Sequence, residues 1–338
     1  MKLLQQLMFV CVICTALFSC KKNPLKVNIS DEGKKIEVVR FDKELFAINQ
    51  PDTLNSIIEL ANKYPDFFDL YTYKVIQIGG LGDSLFQEGM KKFLTDTMIQ
   101  DIRKLVDAEF SDFNETENQL NEAFKYFQHH FPGKEVPTVY TCISGFNQSV
   151  FTAENIIGIS LDKYLGRDCE YYSKLSSTPQ YKVLNMHRKK IVSDVAYAWG
   201  VTEFEHTNKA TSLLDNMIHY GKLMYFVDAL LPDMHDSLKI GYTNQQLKWC
   251  EINEAQMWSQ LIEHKMLYSN KRMDIVRYIN NSPTTSGFPL ESPGRTGVWI
   301  GWQIVREYMK KFPETPLPDL MQNSNYQQIL NDSKYFPE

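Results

Sequence analysis

Cysteine is scarce in this chain, with six among 338 residues, and Cys11, Cys14 and Cys20 all fall in the first twenty. The other three, Cys142, Cys169 and Cys250, allow at most one disulfide, and their spacing matches neither a zinc ribbon nor a CxxC redox motif. They read as buried, inert thiols. Also missing are GxxxxGK[ST], GxGxxG and GxSxG, which removes the nucleotide-binding and α/β-hydrolase readings. The glycines of "IGGLGDS" (78–84) have the wrong spacing and predict a turn. No two of the seven histidines lie at i,i+3 or i,i+4, the spacing that aims two imidazoles of a helix at one metal ion. His129 and His130 instead suit the C-terminal end of a helix, where a cation is favoured. With 36 basic and 41 acidic residues and no long block of one sign, nothing marks a nucleic-acid surface. No Pro/Gly/Ser-rich linker or internal repeat divides the middle of the chain, so one domain over 36–338 is expected.

What is present points first to an address. "MKLLQQLMFVCVICTALFSC" has Lys2, an apolar run from Leu7 to Phe18 and then Leu17-Phe18-Ser19-Cys20. That is a signal peptide over 1–19 ending in a lipobox, with Cys20 as the lipid-attachment residue and mature N-terminus. The run is shorter than the ~20 apolar residues that a membrane-spanning helix takes. Cleavage removes one basic residue, Lys2, leaving 35 basic against 41 acidic residues. Residues 20–35, polar after the lipidated Cys, read as a flexible tether. Lys21 in place of Asp favours the outer over the inner membrane, with the protein facing the periplasm.

The remainder, 43% hydrophobic with 18 Tyr and 20 Phe, has ample material for a core. "KIEVVRFD" (35–42) alternates as a strand, and "VPTVYTCISGFNQSVF" with "NIIGISLD" predicts an antiparallel pair over about 136–161. Helices are expected in "TENQLNEAFKYFQHHF", with Thr116 and Gln119 as a capping box, and in "TNQQLKWCEINEAQMWSQLIEH", with Thr243 and Gln246 in the same roles. Others are expected over about 182–199, about 211–231 ahead of Pro232, and 296–312. "MHRKK" (186–190) reads as a solvated face. The expected fold is α+β, mainly helical, with a small antiparallel sheet. Gly297 and Gly301 form a GxxxG, but Arg295, Arg306 and Glu307 beside them favour close soluble packing over a membrane dimer.

Three blocks in order behind the lipobox, "GISLDKYLG" (158–166), "HYGKLMYFVDALLPD" (219–233) and "PGRTGVWIGWQIVREYM" (293–309), resemble the gliding-motility lipoprotein B family (GldB) of Bacteroidota. The resemblance implies a membrane-anchored periplasmic lipoprotein required for gliding, working with other proteins of the gliding and secretion machinery. That family in turn resembles zincin-like peptidases, with HExxH on one helix, a third ligand in an "EG" pair on the next and a C-terminal GxxxGxxxV helix. On this chain the HExxH positions fall on Ser193, Asp194, Val195, Ala196 and Tyr197, and the "EG" pair on Tyr220 and Gly221.

Ser and Tyr oxygens hold their protons too tightly to replace neutral imidazole as zinc ligands near pH 7. Asp194 is one methylene shorter than the Glu it replaces. The resemblance therefore implies no cofactor, no metal and no catalytic residue: a pseudoenzyme with a relic cleft formed by Ser193, Asp194, Tyr197, His219 and Tyr220. An alternative is a binding module taking a peptide or glycan in that cleft, with Trp199 and Tyr225 adding aromatic surface. An active metallopeptidase is the least favoured reading. Asp-Ser/Thr-apolar triplets beginning at Asp52, Asp83, Asp96 and Asp236 resemble an O-glycosylation signal.

Overall fold

In the computed structural model, residues 23–29, 34–48, 53–175, 178–205 and 211–338 are described. The signal peptide, Cys20, Lys21, His206 and the triplet residue Asp52 lie outside them. Of the other triplets, Ser84 and Thr97 are exposed, while the Ser237 hydroxyl is 2.8 Å from His235 Nδ1.

Among the described residues, four strands form one sheet in the order β1-β2-β4-β3: β1 (Val38–Val39), β2 (Thr138–Cys142), β3 (Val150–Ala153) and β4 (Ile156–Ser160). Only β3 and β4 are antiparallel, in the register Val150↔Ile159 and Phe151↔Gly158. β2 runs parallel to both β1 and β4, so the sheet is mixed where an antiparallel one was expected. Asn155, at φ 56° in the left-handed region, closes the β3–β4 hairpin. The segment after β2 is instead pinned at Asp162, whose carboxylate accepts the N–H groups of Ser144 (3.0 Å) and Phe146 (2.5 Å). This ties the chain just after β4 to the chain just after β2, and β4 lies between β2 and β3. "IIGIS" is buried at every position, the pattern of a strand covered on both faces.

Helices make up most of the rest. Before β2 come α1 (Phe41–Phe46), α2 (Thr53–Lys63), α3 (Pro65–Asp69), which continues into a π-helical turn (Leu70–Val75), α4 (Phe86–Thr95), α5 (Thr97–Glu109) and α6 (Asn114–His130). After β4 come α7 (Glu170–Lys174), α8 (Gln180–Val183), α9 (Ile191–Glu203), α10 (Leu213–Leu230) and α11 (Asp236–Ile240). Then follow α12 (Asn244–Ile252), α13 (Glu254–Glu263), α14 (Arg272–Ile279), α15 (Thr296–Lys311), α16 (Leu317–Gln322) and α17 (Tyr326–Ser333). Buried apolar residues from Ile36 to Tyr335 form one continuous core.

Several boundaries differ from the sequence reading for local reasons. The helix expected over 182–199 is interrupted because His187 is extended (φ −143°, ψ 154°) and bridges to Leu165, so α9 starts at Ile191. α6 starts at Asn114, two residues early; the Thr116 hydroxyl then accepts from Arg188 Nε at 3.3 Å, and Gln119 reaches Glu115. The Thr243/Gln246 capping box is present, but Asn253 divides its helix into α12 and α13. Part of the expected flexible tether is held: Asn23 Nδ2 donates to the Pro232 carbonyl at 2.9 Å, and Lys26 pairs with Asp233 at 2.8 Å.

α10 is the axis of the helical part. Every residue of it except Asp215 and Tyr220 is buried, and its buried polar residues Lys222 and Asp228 are held by partners on neighbouring elements. It starts on a Ser212/Asp215 capping box and ends two residues before Pro232. It crosses α15 at Gly221 and Gly301. A Cβ on Gly221 would stand 2.3 Å from the Gly301 carbonyl carbon, and one on Gly301 would stand 1.8 Å from the Met217 carbonyl oxygen. The backbones touch because no side chain separates them, and the GxxxG packs within the protein.

Around this crossing, Asp228 accepts from Lys239 Nζ (2.7 Å), Trp302 Nε1 (2.7 Å) and two nitrogens of Arg306 (2.7 and 2.8 Å). Arg306 also pairs with Asp236 at 2.6 Å and lies 3.8 Å over the Trp302 ring. Lys222 donates to the Met321 and Asn323 carbonyls (3.0 and 2.7 Å), which ties the end of α16 to α10.

His130 is no helix-terminal cation. Its Nε2 is buried without a hydrogen-bond partner among the described residues, and burial, with a smaller push from His129, lowers its pKa to about 4.

Two outcomes follow. Gly301→Ala pushes a methyl into a backbone carbonyl that cannot yield, so urea melts should show a loss of about 3 kcal/mol or more, or no folded protein. The pKa of His130 is depressed on folding, so its contribution is complete above the unfolded value near 6.5 and is lost as pH falls towards 4. Between about pH 7 and pH 4 this amounts to ~3 kcal/mol, and melts of a His130→Leu variant should lack that part of the acid sensitivity.

Candidate functional site

A cleft of about 540 Å³ lies between the loop following β2, the turn after β4, α9, α11 and the 281–295 segment. A side bay of about 390 Å³ adjoins it, and Tyr197, Asn281 and Arg295 line both. Asp194 and Tyr197 of α9 face the cleft, and Tyr220 of α10 lines the bay.

The five residues expected to share one cleft do not all meet there. Ser193 is fully buried and turned towards α11: its hydroxyl donates to the Leu238 carbonyl at 2.9 Å and accepts from Lys190 Nζ at 2.9 Å. His219, only 5% exposed, packs edge-on against the Tyr220 ring at 5.3 Å and lines neither cavity. Trp199 packs against Phe124 and Phe127 in the core, and Tyr225 is likewise absent from the cleft wall.

Lys190 organises what remains. Expected on a solvated face, it is 5% exposed, one turn before Asp194. Its Nζ donates to Asp194 Oδ1 at 2.6 Å as well as to Ser193, with the Lys239 carbonyl at 3.5 Å. The other carboxylate oxygen of Asp194 accepts from the Tyr164 hydroxyl at 2.9 Å. Burial, reinforced by Asp194, holds the Tyr164 pKa well above its usual value, so this phenol keeps the proton that it donates to Asp194. The remaining charge pattern was not legible beforehand. Lys163 donates to the Phe146 carbonyl at 3.2 Å, and burial lowers its pKa against the opposing pull of Asp162. Arg295 sits in the left-handed region at φ 61°, its guanidinium 5.8 Å from the centre of the Tyr197 ring. Burial raises the Tyr197 pKa, and Arg295 opposes that rise.

The donor set does not fit a zinc ion. Ser193 and Asp194, which the resemblance set at the first two HExxH positions, both accept from Lys190 Nζ, and neither offers the neutral imidazole that zinc favours. Among the described residues, no group of three His, Cys, Asp or Glu is arranged to hold a metal. One signal for this was present: Lys190 and Asp194 form an i,i+4 pair of opposite charge. The position of Arg295 had none, since the 280–294 loop that delivers it has no periodicity.

Among the described residues, no helix is long and apolar enough to cross a membrane. No curated protein and no solved structure matches the chain. A family model described as gliding motility protein GldB, whose label also designates a lipoprotein, matches residues 22–337. That match covers nearly the whole chain, which therefore belongs to the gliding motility protein GldB family.

Proposed function

We propose that this gliding motility protein is a non-catalytic, lipid-anchored component that supports the gliding and secretion machinery through protein contacts. It faces the periplasm, attached through Cys20, with the outer membrane favoured by Lys21. The observation behind the non-catalytic reading is Lys190: a buried cation bonded to both Ser193 and Asp194 leaves neither oxygen free to bind zinc or to activate water. In this reading the relation to zincin-like peptidases is one of ancestry, with the first ligand position, Ser193, absorbed into the packing of α9 against α11.

A deletion strain complemented with an Asp194→Asn variant tests it. Gliding and secretion should be restored to the wild-type level, because the side-chain amide has the same shape as the carboxylate and keeps an acceptor oxygen for Lys190. Purified protein carrying stoichiometric zinc and cutting peptides in a chelator-sensitive way would falsify the proposal. Membrane fractionation of native cells, with a Cys20→Ser variant as control, checks the anchor. The protein should move with outer-membrane markers, and the variant should lose that association.

A further inference from the structure

We infer that the cleft beside α9 binds an acidic saccharide, its carboxylate meeting Lys163, Lys182 and Arg295 and its hydroxyls meeting the tyrosine and amide side chains around them. This rests on the non-catalytic reading of the same cleft and adds to it a class of ligand.

The charge balance is the first argument. Five cations line the cleft, Lys163, Lys182, Lys190, Lys239 and Arg295, against one carboxylate, Asp194. Lys190 neutralises Asp194 at 2.6 Å, and Lys239 is held from behind by Asp228 at 2.7 Å. Lys163, Lys182 and Arg295 have no salt-bridge partner among the described residues. Lys163 is only partly exposed and gives its ammonium to one carbonyl, which leaves donors for an incoming anion. Burial already lowers the pKa of this lysine, and a bound carboxylate would reverse that.

The wall of the cleft points to the same ligand. Tyr181, Tyr197 and Tyr242 offer ring faces, and Asn147, Asn185 and Asn281 offer amides that both donate and accept. Such a lining suits a ring studded with hydroxyls better than a peptide, which needs either apolar side-chain pockets or a free strand edge. α9 packs against the edge strand nearby, β3, where the Thr152 and Thr202 hydroxyls meet at 2.6 Å.

Calorimetric titration of the purified full chain with oligogalacturonate and oligomannuronate tests the inference. Saturable binding is expected, about tenfold tighter than to a neutral oligosaccharide of equal length. A Lys163→Gln/Lys182→Gln variant should melt like the wild type and bind about tenfold more weakly, because these two side chains hold no structural ion pair. The inference is overturned if no acidic saccharide binds saturably, if the neutral one binds as tightly, or if the double variant is unimpaired. Tighter binding of an acidic peptide, or of inorganic phosphate, overturns it in favour of those ligands. Cleavage of a bound oligosaccharide would sink the non-catalytic reading while leaving the binding site in place.

Discussion

The rest of the helical architecture depends on the direct backbone contact of Gly221 with Gly301. Two helices can approach this closely only where both lack side chains, and the approach sets every distance around it. It brings Asp228 of α10 within bonding distance of Trp302 and Arg306 of α15, and Arg306 then gathers Asp236 at the start of α11. α11 in turn supplies the Leu238 carbonyl that fixes Ser193 and the Lys239 and Ile240 side chains that wall the cleft. A methyl group at the crossing would thus be felt at the cleft.

The polar residues of α9 find most of their partners within the protein. A triplet of Ser, Asp and Tyr on an apolar helix looks like an unsatisfied site until the buried lysine one turn earlier is placed. With Lys190 there, the hydroxyl and one carboxylate oxygen are bonded to a cation, and Tyr164 takes the other oxygen. The polar groups are satisfied without a ligand, as buried groups are in most proteins. What remains unbalanced is the positive charge at the opposite wall.

The sequence made the long helices legible where local chemistry decides them. The α10 boundaries follow from its cap and from Pro232, and the Thr243/Gln246 box is where its spacing places it. The mixed sheet was not legible, because β2 and β4 become parallel neighbours only through the loop that Asp162 pins, a contact between residues sixteen and eighteen apart. The same limit applies to the cleft. Asp194 and Tyr197 could be placed on one side of a helix, but periodicity alone gave no way to tell that Ser193 would turn to α11 and His219 into the core. Arg295 reaches the cleft by a left-handed backbone step that no pattern announces. Lys190 was hidden for a different reason: it belongs to a run of basic residues, and such runs usually face water.

The bonds from Asn23 to Pro232 and from Lys26 to Asp233 also limit reach. Only three peptide steps separate Cys20 from Asn23, a span of at most about 11 Å. An acyl group carried on Cys20 would therefore hold the folded body on a short leash, with the end of α10 turned towards the lipid surface. In that posture the protein would ride close to its membrane. Partners would have to approach it from the sides left open.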